Sequence, residues 1–522
     1  MPRSGWAAHG GKSHTALTRA LLFEQHLKQL PGSFFEGTGV LPKRWKELSR
    51  QLVGHLVLPG DGDYDKDRQS NPSFNAFPKA MVYCATPNDV ALALVLAGEY
   101  RQMQVTCRSG GHSTAGYSVN NGLVIDLSLM AYAVVDPEQM IVTAGAGTSF
   151  RLFDSVLNGY GLHVPSGGCP DVCVGGYMQG GGYGFTSRQF GMNCDGVRSF
   201  TMVLADGQLV SADARRNRDL YWAVRGGTGN QFGVLIDATY ELTHLKQVWA
   251  CAAYWRLKDA PKVLAELQAG YMQTGVTRRF GYQVMLATIK QEPVMILLGM
   301  YPGPATEALD IIAPLRKIAP AKVRQYHGTY ETLNANLVDN VLPGPGTPGT
   351  LETKNSGYIA KPLGVAGWKA ICDYFKTTPN PYNLAYLEPY GGAIGDREPL
   401  DNAFIHRKVD ADFVVDSFWN PNWEYSGSKT EEQAQRWLDG YWRIVRHFLN
   451  GYVYQDYPNP NLKDYRWQYW GDAFPTLLQV KKKYDPDRLF NYGQPISPYP
   501  RGPGITRSQA TPLFDDPHID FG

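Results

Sequence analysis

The chain has 522 residues, of which 43% are hydrophobic and 19% charged, and its 50 basic residues nearly balance its 48 acidic ones. This length exceeds what a single hydrophobic core supports and predicts two or three lobes. The balanced charge is not that of a nucleic-acid-binding protein, so no nucleic-acid partner is expected.

No stretch of the sequence approaches the roughly 18 consecutive apolar residues of a membrane-spanning helix, so no membrane partner is expected. The first 33 residues contain no apolar core of a signal peptide, because Leu21-Leu22-Phe23 is followed at once by Glu24-Gln25-His26. Seven cysteines do not form the pattern of a disulfide framework. We expect a cytoplasmic protein, or a secreted one if a leader has been removed, and either a monomer or a homodimer.

Hydrophobic periodicity predicts alternating helices and strands in the first half of the chain. In chain order these are a helix at 15–30, a strand or buried run at 56–61, a strand at 80–84, a helix at 87–100 and strands at 104–108, 123–127, 140–144 and 201–209. Asp206-Gly207 is a hairpin turn signal at the end of the last strand.

The second half mixes short apolar runs, as at 254–257 and 294–298, with helical stretches. Residues 342–349 are predicted to be a loop, and the tail after 498 to be irregular. The sequence Ser428-Lys429-Thr430-Glu431 is a capping-box candidate. It would open a helix that stops at Gly451 and whose apolar face carries Ala434, Trp437, Tyr441, Val445 and Phe448.

Two glycine-rich turns carry a potentially nucleophilic side chain each. Arg108-Ser109-Gly110-Gly111-His112-Ser113 directly follows a predicted strand, and Gly167-Gly168-Cys169-Pro170-Asp171-Val172 lies further along the chain. Glycine-rich backbone leaves N–H groups open to a phosphate, so the two turns suggest a cofactor held at two points. Each residue also has an alternative interpretation without a cofactor. His112 could be a polar turn residue, and Cys169 could be a small buried hydrophobic residue.

Other cofactor motifs fit poorly. Ala8-His9-Gly10-Gly11-Lys12-Ser13 lacks the first glycine of a nucleotide P-loop, because Trp6 occupies that position. Gly145-Ala146-Gly147 is too short for a dinucleotide fingerprint. Cys169 and Cys173 could form a disulfide or half a metal site, but no His/Cys cluster completes one, so no metal is expected.

A series of further motifs shares one order with the two turns. They are Pro59-Gly60-Asp61, Gly180-Gly181-Gly182-Tyr183-Gly184, Arg225-Gly226-Gly227-Thr228-Gly229, Gly391-Gly392-Ala393-Ile394 and Gln494-Pro495-Ile496. In this order the chain resembles the berberine bridge enzyme-like branch of the vanillyl-alcohol oxidase superfamily, flavoenzymes with a p-cresol methylhydroxylase (PCMH)-type FAD domain. The match departs from the family at Cys173, where a glycine is usual.

The resemblance implies an α+β fold of two lobes. The FAD-binding domain of PCMH type would comprise residues 40–246 and 456–500. The substrate domain, an antiparallel β-sheet backed by helices, would comprise 247–455. Residues 1–39 would be an N-terminal extension and 501–522 a C-terminal tail.

The resemblance also implies covalently attached FAD, with His112 bonded to the flavin 8α-methyl group and Cys169 to C6. Val172 matches the position that controls access of dioxygen, and a small apolar residue there is typical of the oxidases. Gln494 matches the family's terminal Gln-Ser-Ile motif and is assigned to the cofactor site. The remaining predicted cofactor contacts are Arg108, Ser109, Gly110, Gly111 and Ser113 at the pyrophosphate, and Gly175, Gly176, Gly180, Gly181 and Gly182 along the isoalloxazine and ribityl chain.

Oxidation of an alcohol carbon needs a base near the hydride acceptor. By family position we predict Tyr454 as the base, Tyr183 as its assistant, Tyr390 on the substrate side and Asp416 as a polar neighbour. A free phenol has a pKa of about 10, so hydrogen bonds to the phenolate would have to lower it.

The expected function is an FAD-dependent oxidase that takes a hydride from a hydroxyl-bearing carbon of a sugar, oligosaccharide or other alcohol to flavin N5. Reoxidation by O₂ would give H₂O₂. One alternative is a tailoring oxidase of secondary metabolites such as alkaloids, polyketides or glycosylated antibiotics. The family often uses a glutamate for ring closure on such substrates. A second alternative is a flavin-binding protein without turnover.

Overall fold

The computed structural model describes residues 16–69, 75–272, 276–319, 321–338, 340–342, 344 and 347–498. Within these ranges helices and mainly antiparallel sheets are combined, and the α+β class is confirmed. No helix in this part of the chain is long and apolar enough to cross a membrane. The near-P-loop at 8–13, the tail after 498 and part of the predicted loop at 342–349 lie outside the described residues.

The first sheet presents the His112 turn at its edge. Its strands are β1 (His55–Val57), β2 (Ala80–Tyr83), β3 (Val105–Arg108) and β4 (Leu123–Asp126), in the spatial order β1-β2-β4-β3. Strands β2, β4 and β3 are parallel. The carboxyl end of β3 therefore meets that of β4 at one edge, where ligands collect in α/β sheets, and the turn starts there.

The next two sheets are antiparallel. The larger contains β5 (Ala133–Asp136), β6 (Ile141–Gly145), β8 (Val197–Val203), β9 (Leu209–Asp213) and β10 (Val234–Glu241), ordered β5-β6-β10-β8-β9. The smaller pairs β7 (Leu162–His163) with β11 (Thr243–His244). The predicted strand at 201–209 is thus two strands of a hairpin, with Gly207 in its turn at a φ of 84°.

A seven-stranded antiparallel sheet follows in the chain. Its strands are β12 (Gln247–Arg256), β13 (Gly281–Ile289), β14 (Glu292–Tyr301), β15 (Lys322–Thr329), β16 (Leu351–Ile359), β17 (Leu384–Pro389) and β18 (Ala411–Trp419), ordered β15-β12-β14-β13-β17-β18-β16. Successive side chains alternate between the faces, so one face packs on helices, while the other carries a further buried apolar cluster that includes Tyr386 and Val414.

The helices lie between these strands. They are α1 (Ala16–Gln29), α2 (Gly32–Thr38), α3 (Pro42–Gln51), α4 (Tyr64–Asp67), α5 (Pro87–Glu99), α6 (Phe150–Tyr160), α7 (Val174–Gly180), α8 (Ser187–Phe190), α9 (Arg218–Val224), α10 (Ala260–Leu267), α11 (Ala305–Ile318), α12 (Tyr330–Asn336), α13 (Gly364–Phe375), α14 (Glu431–Val445), α15 (Tyr465–Trp470) and α16 (Phe474–Tyr484). Short 3₁₀ turns occur at Asn193–Gly196, Gly392–Asp396 and Gly471–Ala473.

The apolar core falls into separate clusters. The largest joins buried side chains between Leu27 and Leu242 to others between Tyr358 and Ile496. A second lies between the seven-stranded sheet and helices α10, α11, α13 and α14. The predicted domain boundaries remain a prediction, but residues 1–39 contribute Leu27 and Phe34 to the largest core.

The start of α14 differs from the prediction. Thr430, not Ser428, is the N-cap, and its hydroxyl accepts a hydrogen bond from the Gln433 N–H at 3.3 Å. The Ser428 hydroxyl instead accepts a hydrogen bond from Asn380 Nδ2 at 2.8 Å, a tertiary contact that local pattern does not reveal. The helix ends at Val445, well before Gly451, so Phe448 lies beyond it.

A buried ion pair joins the two halves of the molecule. Arg407 Nη1 and Nη2 donate to the Asp195 carboxylate at 2.7 and 2.9 Å. Both side chains are almost fully buried. Burial alone would raise the pKa of Asp195, but the Arg407 charge outweighs it and holds that pKa below its usual value.

We expect Asp195→Asn to lower the free energy of unfolding by about 3–5 kcal/mol, because it leaves the Arg407 charge buried without its partner. Chemical denaturation monitored by intrinsic fluorescence measures the change. Since the pKa of Asp195 is lowered, its contribution is present above pH ~4 and is lost as the pH falls through the lowered pKa.

The matched control is Asp396→Asn, which breaks the bidentate but half-exposed pair of Arg278 and Asp396. A pair of this kind contributes little, so this variant should unfold almost as the wild type does. If the two substitutions lowered the free energy of unfolding equally, burial would not be what makes the Arg407–Asp195 pair important.

Candidate functional site

The two glycine-rich turns pack directly against each other. A Cβ atom at Gly110 would lie 3.0 Å from Cys173 Sγ and 2.9 Å from the Asp171 carbonyl oxygen. A Cβ atom at Gly175 would lie 2.6 Å from Ser109 Oγ. Because real Cβ atoms do not approach so closely, glycine is what allows the turns to meet.

His112 and Cys169 are both exposed to solvent at this junction. Desolvation by the surrounding protein nevertheless lowers the pKa of His112, which Asp171 partly opposes. The His112 and Cys169 side chains are therefore both presented to solvent where the two turns meet.

The second cysteine of this turn has a different environment. Cys173 is buried, and burial raises its pKa to about 12, so it remains a thiol. No disulfide joins it to Cys169. Among the described residues no cluster of His, Cys, Asp and Glu could hold a metal ion, so neither the disulfide nor the metal alternative is supported.

The glycines assigned to the flavin fall into two groups. A Cβ at Gly176, which is exposed, would meet no atom within 4 Å, so α7 faces open space there. At the triple glycine the close approach is made by protein: a Cβ at Gly180 would overlap the Asp456 carboxylate, at Gly181 the Phe404 ring, and at Gly182 the side chains of Tyr177 and Asn193. Packing within the protein is thus sufficient to account for these three glycines, and the expected flavin contact at Gly180 to Gly182 stays a prediction.

The side chains and glycines of the Arg108–Ser113 turn are held by contacts within the protein. The Arg108 side chain is buried beneath the turn, where Nε donates to Asp126 Oδ2 at 2.5 Å and Nη1 to the Asp67 carbonyl at 2.7 Å. The Arg108 carbonyl accepts a hydrogen bond from the Leu127 N–H at 2.8 Å, so a contact of Arg108 with the pyrophosphate stays a prediction. Gly111 has a φ of 73°, a left-handed conformation that explains the glycine. Ser113 Oγ accepts a hydrogen bond from the Tyr117 N–H at 3.2 Å and so stabilises the end of the turn.

Gln494 and Val172 have structural contacts. Gln494 is buried; its Nε2 donates to the Asn459 carbonyl and its Oε1 accepts from the Tyr469 hydroxyl, both at 2.9 Å. This side chain is used within the protein, which argues against direct cofactor binding. Val172 is half-buried beside the Cys169 turn, and its N–H donates to the Cys169 carbonyl at 3.2 Å.

Tyr454, the predicted base, has no capacity left for a substrate proton. Its hydroxyl donates to Asp456 Oδ2 at 2.9 Å and accepts from the N–H groups of Gly182 and Tyr183 at 2.9 and 3.1 Å. A phenol has one donor and two lone pairs, all of which are engaged. Burial, and then the Asp456 charge, raise the pKa of Tyr454. The geometry therefore corrects its assignment as the base and gives it a structural role.

Tyr183 and Tyr390 form one aromatic stack. Their rings are 5.4 Å apart and inclined by 6°. The Tyr183 hydroxyl donates to the Pro389 carbonyl at 3.0 Å, and the Tyr390 hydroxyl lies 3.2 Å from that of Tyr358. Burial raises the pKa of both phenols, and neither side chain is accessible. The structure brings them together with Tyr454, and all three side chains are buried from solvent.

A neighbouring tyrosine that the sequence reasoning missed is accessible. Tyr457 is half-buried, and its hydroxyl donates to Glu388 Oε1 at 3.0 Å. Gln283 Nε2 donates to the same oxygen at 3.0 Å, while Glu388 Oε2 has no partner within the described ranges. Burial raises the pKa of Glu388 to about 8, although the Tyr457 hydrogen bond and the Lys354 charge oppose this.

Asp416 is connected to Tyr457 through a lysine. Lys354 Nζ lies 3.1 Å from Asp416 Oδ1, 3.1 Å from Glu352 Oε1 and 4.7 Å from the centre of the Tyr457 ring. Burial raises the pKa of Asp416, against the Lys354 charge. Asp416 is thus linked to the accessible Tyr457 indirectly, through the Lys354 ammonium group.

The sequence did carry a signal for this pair. Glu388 is an acidic residue within an otherwise apolar strand and is followed by Pro389-Tyr390-Gly391-Gly392. A buried carboxyl group with a raised pKa is a candidate for catalysis. Tyr457 stands three residues after Tyr454 and is therefore a second candidate for the base in the same motif.

Comparisons with known proteins agree with this geometry. The family model of the FAD binding domain matches residues 78–213, and that of berberine and berberine-like proteins matches residues 453–497. The chain is 29% identical to an uncharacterized FAD-linked oxidoreductase of Bacillus subtilis, YgaK, over 86% of this chain and 98% of that protein. It is 26% identical to a carbohydrate oxidase of Microdochium nivale, over 85% and 92%.

The fold is that of a solved member of the same group. BBE-like 1 of Physcomitrella patens superposes with a TM-score of 0.76 at 25% identity, over 87% of this chain and 99% of that one. Both matched family models fall on the segments that carry the glycine-rich turns and the Tyr457 motif. The chain is therefore an FAD-binding oxidoreductase that belongs to the berberine bridge enzyme-like flavoenzymes of the PCMH superfamily.

Proposed function

We propose that this enzyme is an oxidase that removes a hydride from a hydroxyl-bearing carbon of a sugar, oligosaccharide or other alcohol. The observation that carries the proposal is the accessible Tyr457 phenol hydrogen-bonded to the buried Glu388 carboxylate. When bound, FAD accepts the hydride and passes two electrons to dioxygen, so that alcohol and O₂ become a carbonyl compound and H₂O₂.

We infer that FAD is attached at both turns, through His112 and Cys169. Both side chains are exposed where the two turns meet, and the open space at Gly176, in the helix that follows the Cys169 turn, would admit a planar ring. Each attachment replaces a flavin C–H bond and a protein N–H or S–H bond by one covalent bond. The two electrons and two protons released pass to dioxygen, which becomes H₂O₂.

The protein also supplies the polar contacts for the cofactor. The backbone from Arg108 to Ser113 would bind the pyrophosphate, because its N–H groups lie at the carboxyl edge of the parallel strands. Val172, beside the Cys169 turn, would control the approach of dioxygen. The open space at Gly176 and the exposed His112 and Cys169 side chains fit FAD, and this fit does not depend on the triple glycine.

Proton removal by this pair follows from burial. The pKa of Tyr457 is raised, first by burial and then by Glu388, so the phenol does not ionise on its own. We infer that the substrate hydroxyl gives its proton to Tyr457 Oη while the Tyr457 proton moves to Glu388 Oε1 over 3.0 Å. Lys354, held by Asp416 and Glu352, adds a positive charge beside the ring.

The carbohydrate oxidase of Microdochium nivale supports a saccharide substrate. A second candidate, oxidation of an alkaloid, polyketide or glycosylated antibiotic, is favoured by the glutamate at the site, because ring closure in this family uses that residue type. A panel of saccharides, simple alcohols and aromatic glycosides, assayed for H₂O₂ release, separates the two. Peroxide release that is no faster with saccharides than with the other compounds would contradict the saccharide substrate. If no compound in the panel is turned over, both candidate functions are contradicted.

We expect His112→Ala and Cys169→Ala each to retain flavin through the remaining bond, and only the double variant to lose it on acid denaturation. Peptide mass spectrometry locates the flavin, and yellow colour in the acid precipitate reports attachment. Cys173→Ser is the matched control, since Cys173 is buried and should leave both bonds intact. Full attachment in the double variant would refute the assignment.

We expect Gly176→Ala to fold normally but to bind less FAD, because its methyl group would enter the space that the ring needs. Gly98→Ala is the control, since Gly98 also lies in a helix with no atom within 4 Å of its Cβ direction. The absorbance ratio at 450 and 280 nm, in the visible flavin and protein bands, measures loading. Equal loading of the two variants would argue against a flavin beside Gly176.

We expect Tyr457→Phe and Glu388→Gln to lower kcat by roughly 10²–10⁴-fold, the usual effect of losing a general base. Glu388 accepts a proton only when ionised, so wild-type kcat/KM should rise with pH through about 8, and Glu388→Gln should abolish that limb. Tyr254→Phe, on the same sheet, should leave the profile unchanged. A normal pH limb in Glu388→Gln would refute the proton transfer, and so would wild-type-like kcat in Tyr457→Phe.

A further inference from the structure

A buried polar network lies behind the Cys169 turn and takes no part in the proposed chemistry. Ser166 Oγ donates to Asp154 Oδ2 at 2.8 Å. Asn334 Nδ2 lies 3.2 Å from Ser166 Oγ and 3.3 Å from Asp154 Oδ2. Asp154 belongs to α6 and Asn334 to α12, while Ser166 belongs to the segment that leads to Cys169.

Helix α12 holds two successive carbonyl groups of this segment. The Tyr330 hydroxyl donates to the Ser166 carbonyl at 3.1 Å, and Asn334 Nδ2 donates to the Gly167 carbonyl at 2.8 Å. Gly167 stands two residues before Cys169. Two side chains of one helix therefore determine where the backbone leads into the cysteine.

The helix itself is anchored from the other side. Asn158 Nδ2 on α6 donates to Glu331 Oε2 at 2.8 Å, and the Tyr330 ring meets the His163 ring at 4.3 Å. Helix α12 directly follows β15, an edge strand of the seven-stranded sheet, so these contacts join that edge to the segment that leads to Cys169. The position of the turn thus depends on how α12 docks.

The network costs free energy, which indicates a purpose other than stability. Asp154, Ser166 and Asn334 are all buried. Asp154 Oδ1 and Asn334 Oδ1 have no hydrogen-bond partner within the described part of the chain. Buried polar atoms without partners are costly, and apolar residues of similar size would pack here without that cost.

We propose that Asn334 and Tyr330 are positioning residues that hold the Ser166–Gly167 backbone so that Cys169 reaches the flavin ring. This inference rests on the proposed attachment at Cys169. That step replaces the Cys169 S–H bond and a flavin ring C–H bond by one C–S bond, with two electrons and two protons passed to dioxygen to give H₂O₂. Asn334 and Tyr330 act through the Ser166 and Gly167 carbonyl groups, to which their side chains donate hydrogen bonds.

The test compares Asn334→Ala with Asn336→Ala in the full-length holoenzyme. Asn336 lies on the same helix, but its side chain is exposed and bonds only to the Thr332 carbonyl of that helix. Peptide mass spectrometry gives the fraction of Cys169 and of His112 that carries flavin. Hydrogen exchange of residues 166–173 reports how firmly the turn is held, whether or not flavin is attached.

We expect Asn334→Ala to lower the flavin fraction at Cys169 several-fold while leaving that at His112 unchanged. Exchange of 166–173 should quicken by about fivefold or more, the factor for losing one net hydrogen bond. Asn336→Ala should match the wild type in every measurement. If Asn334→Ala does not fold, Tyr330→Phe, which removes the hydroxyl that contacts both the Ser166 carbonyl and Ser166 Oγ, should show the same selective loss at Cys169.

Three results would overturn the inference. Wild-type flavin occupancy at Cys169 in the variants would refute it and leave the attachment proposal standing. Parallel losses at His112 and Cys169 would reduce the network to a general structural role. A wild-type Cys169 peptide without flavin would refute the attachment and the inference together.

Discussion

The site depends on two backbone turns approaching more closely than side chains would permit. Gly110 meets the Cys173 turn, and Gly175 meets Ser109, each at a distance that a Cβ could not occupy. Because the turns come from segments about sixty residues apart, this contact is what brings the turns of His112 and Cys169 together. The parallel strands behind the first turn and the α12 contacts behind the second hold the arrangement from opposite sides.

Much of the architecture could be predicted because local signals and tertiary structure agree. Strand β3 runs straight into a glycine-rich turn, and the order of the motifs identifies the FAD domain without any knowledge of contacts. The start of α14 could not be predicted, because Ser428 and Thr430 are both suitable caps. The choice is made by Asn380, which is distant in sequence and occupies the Ser428 hydroxyl.

The choice between the two candidate tyrosines illustrates the same limit. Tyr454 and Tyr457 stand three residues apart, and nothing local tells which hydroxyl is in use. The N–H groups of Gly182 and Tyr183 saturate Tyr454, whereas Glu388 leaves Tyr457 accessible. The triple glycine was similarly ambiguous, since a glycine permits close approach by protein as readily as by a cofactor. Only the partner that fills the space distinguishes the two.

The seven-stranded sheet has two unlike faces, and this separates stability from chemistry. Ala385 and Leu387 on β17 point into the helix-backed core, while Tyr386 and Glu388 between them point to the opposite face. A change of side chain on the second face can therefore alter what the enzyme accepts without disturbing the apolar packing on the first. An inherited scaffold of this kind can diversify its substrates by a few replacements at alternate positions, with little risk to its ability to fold.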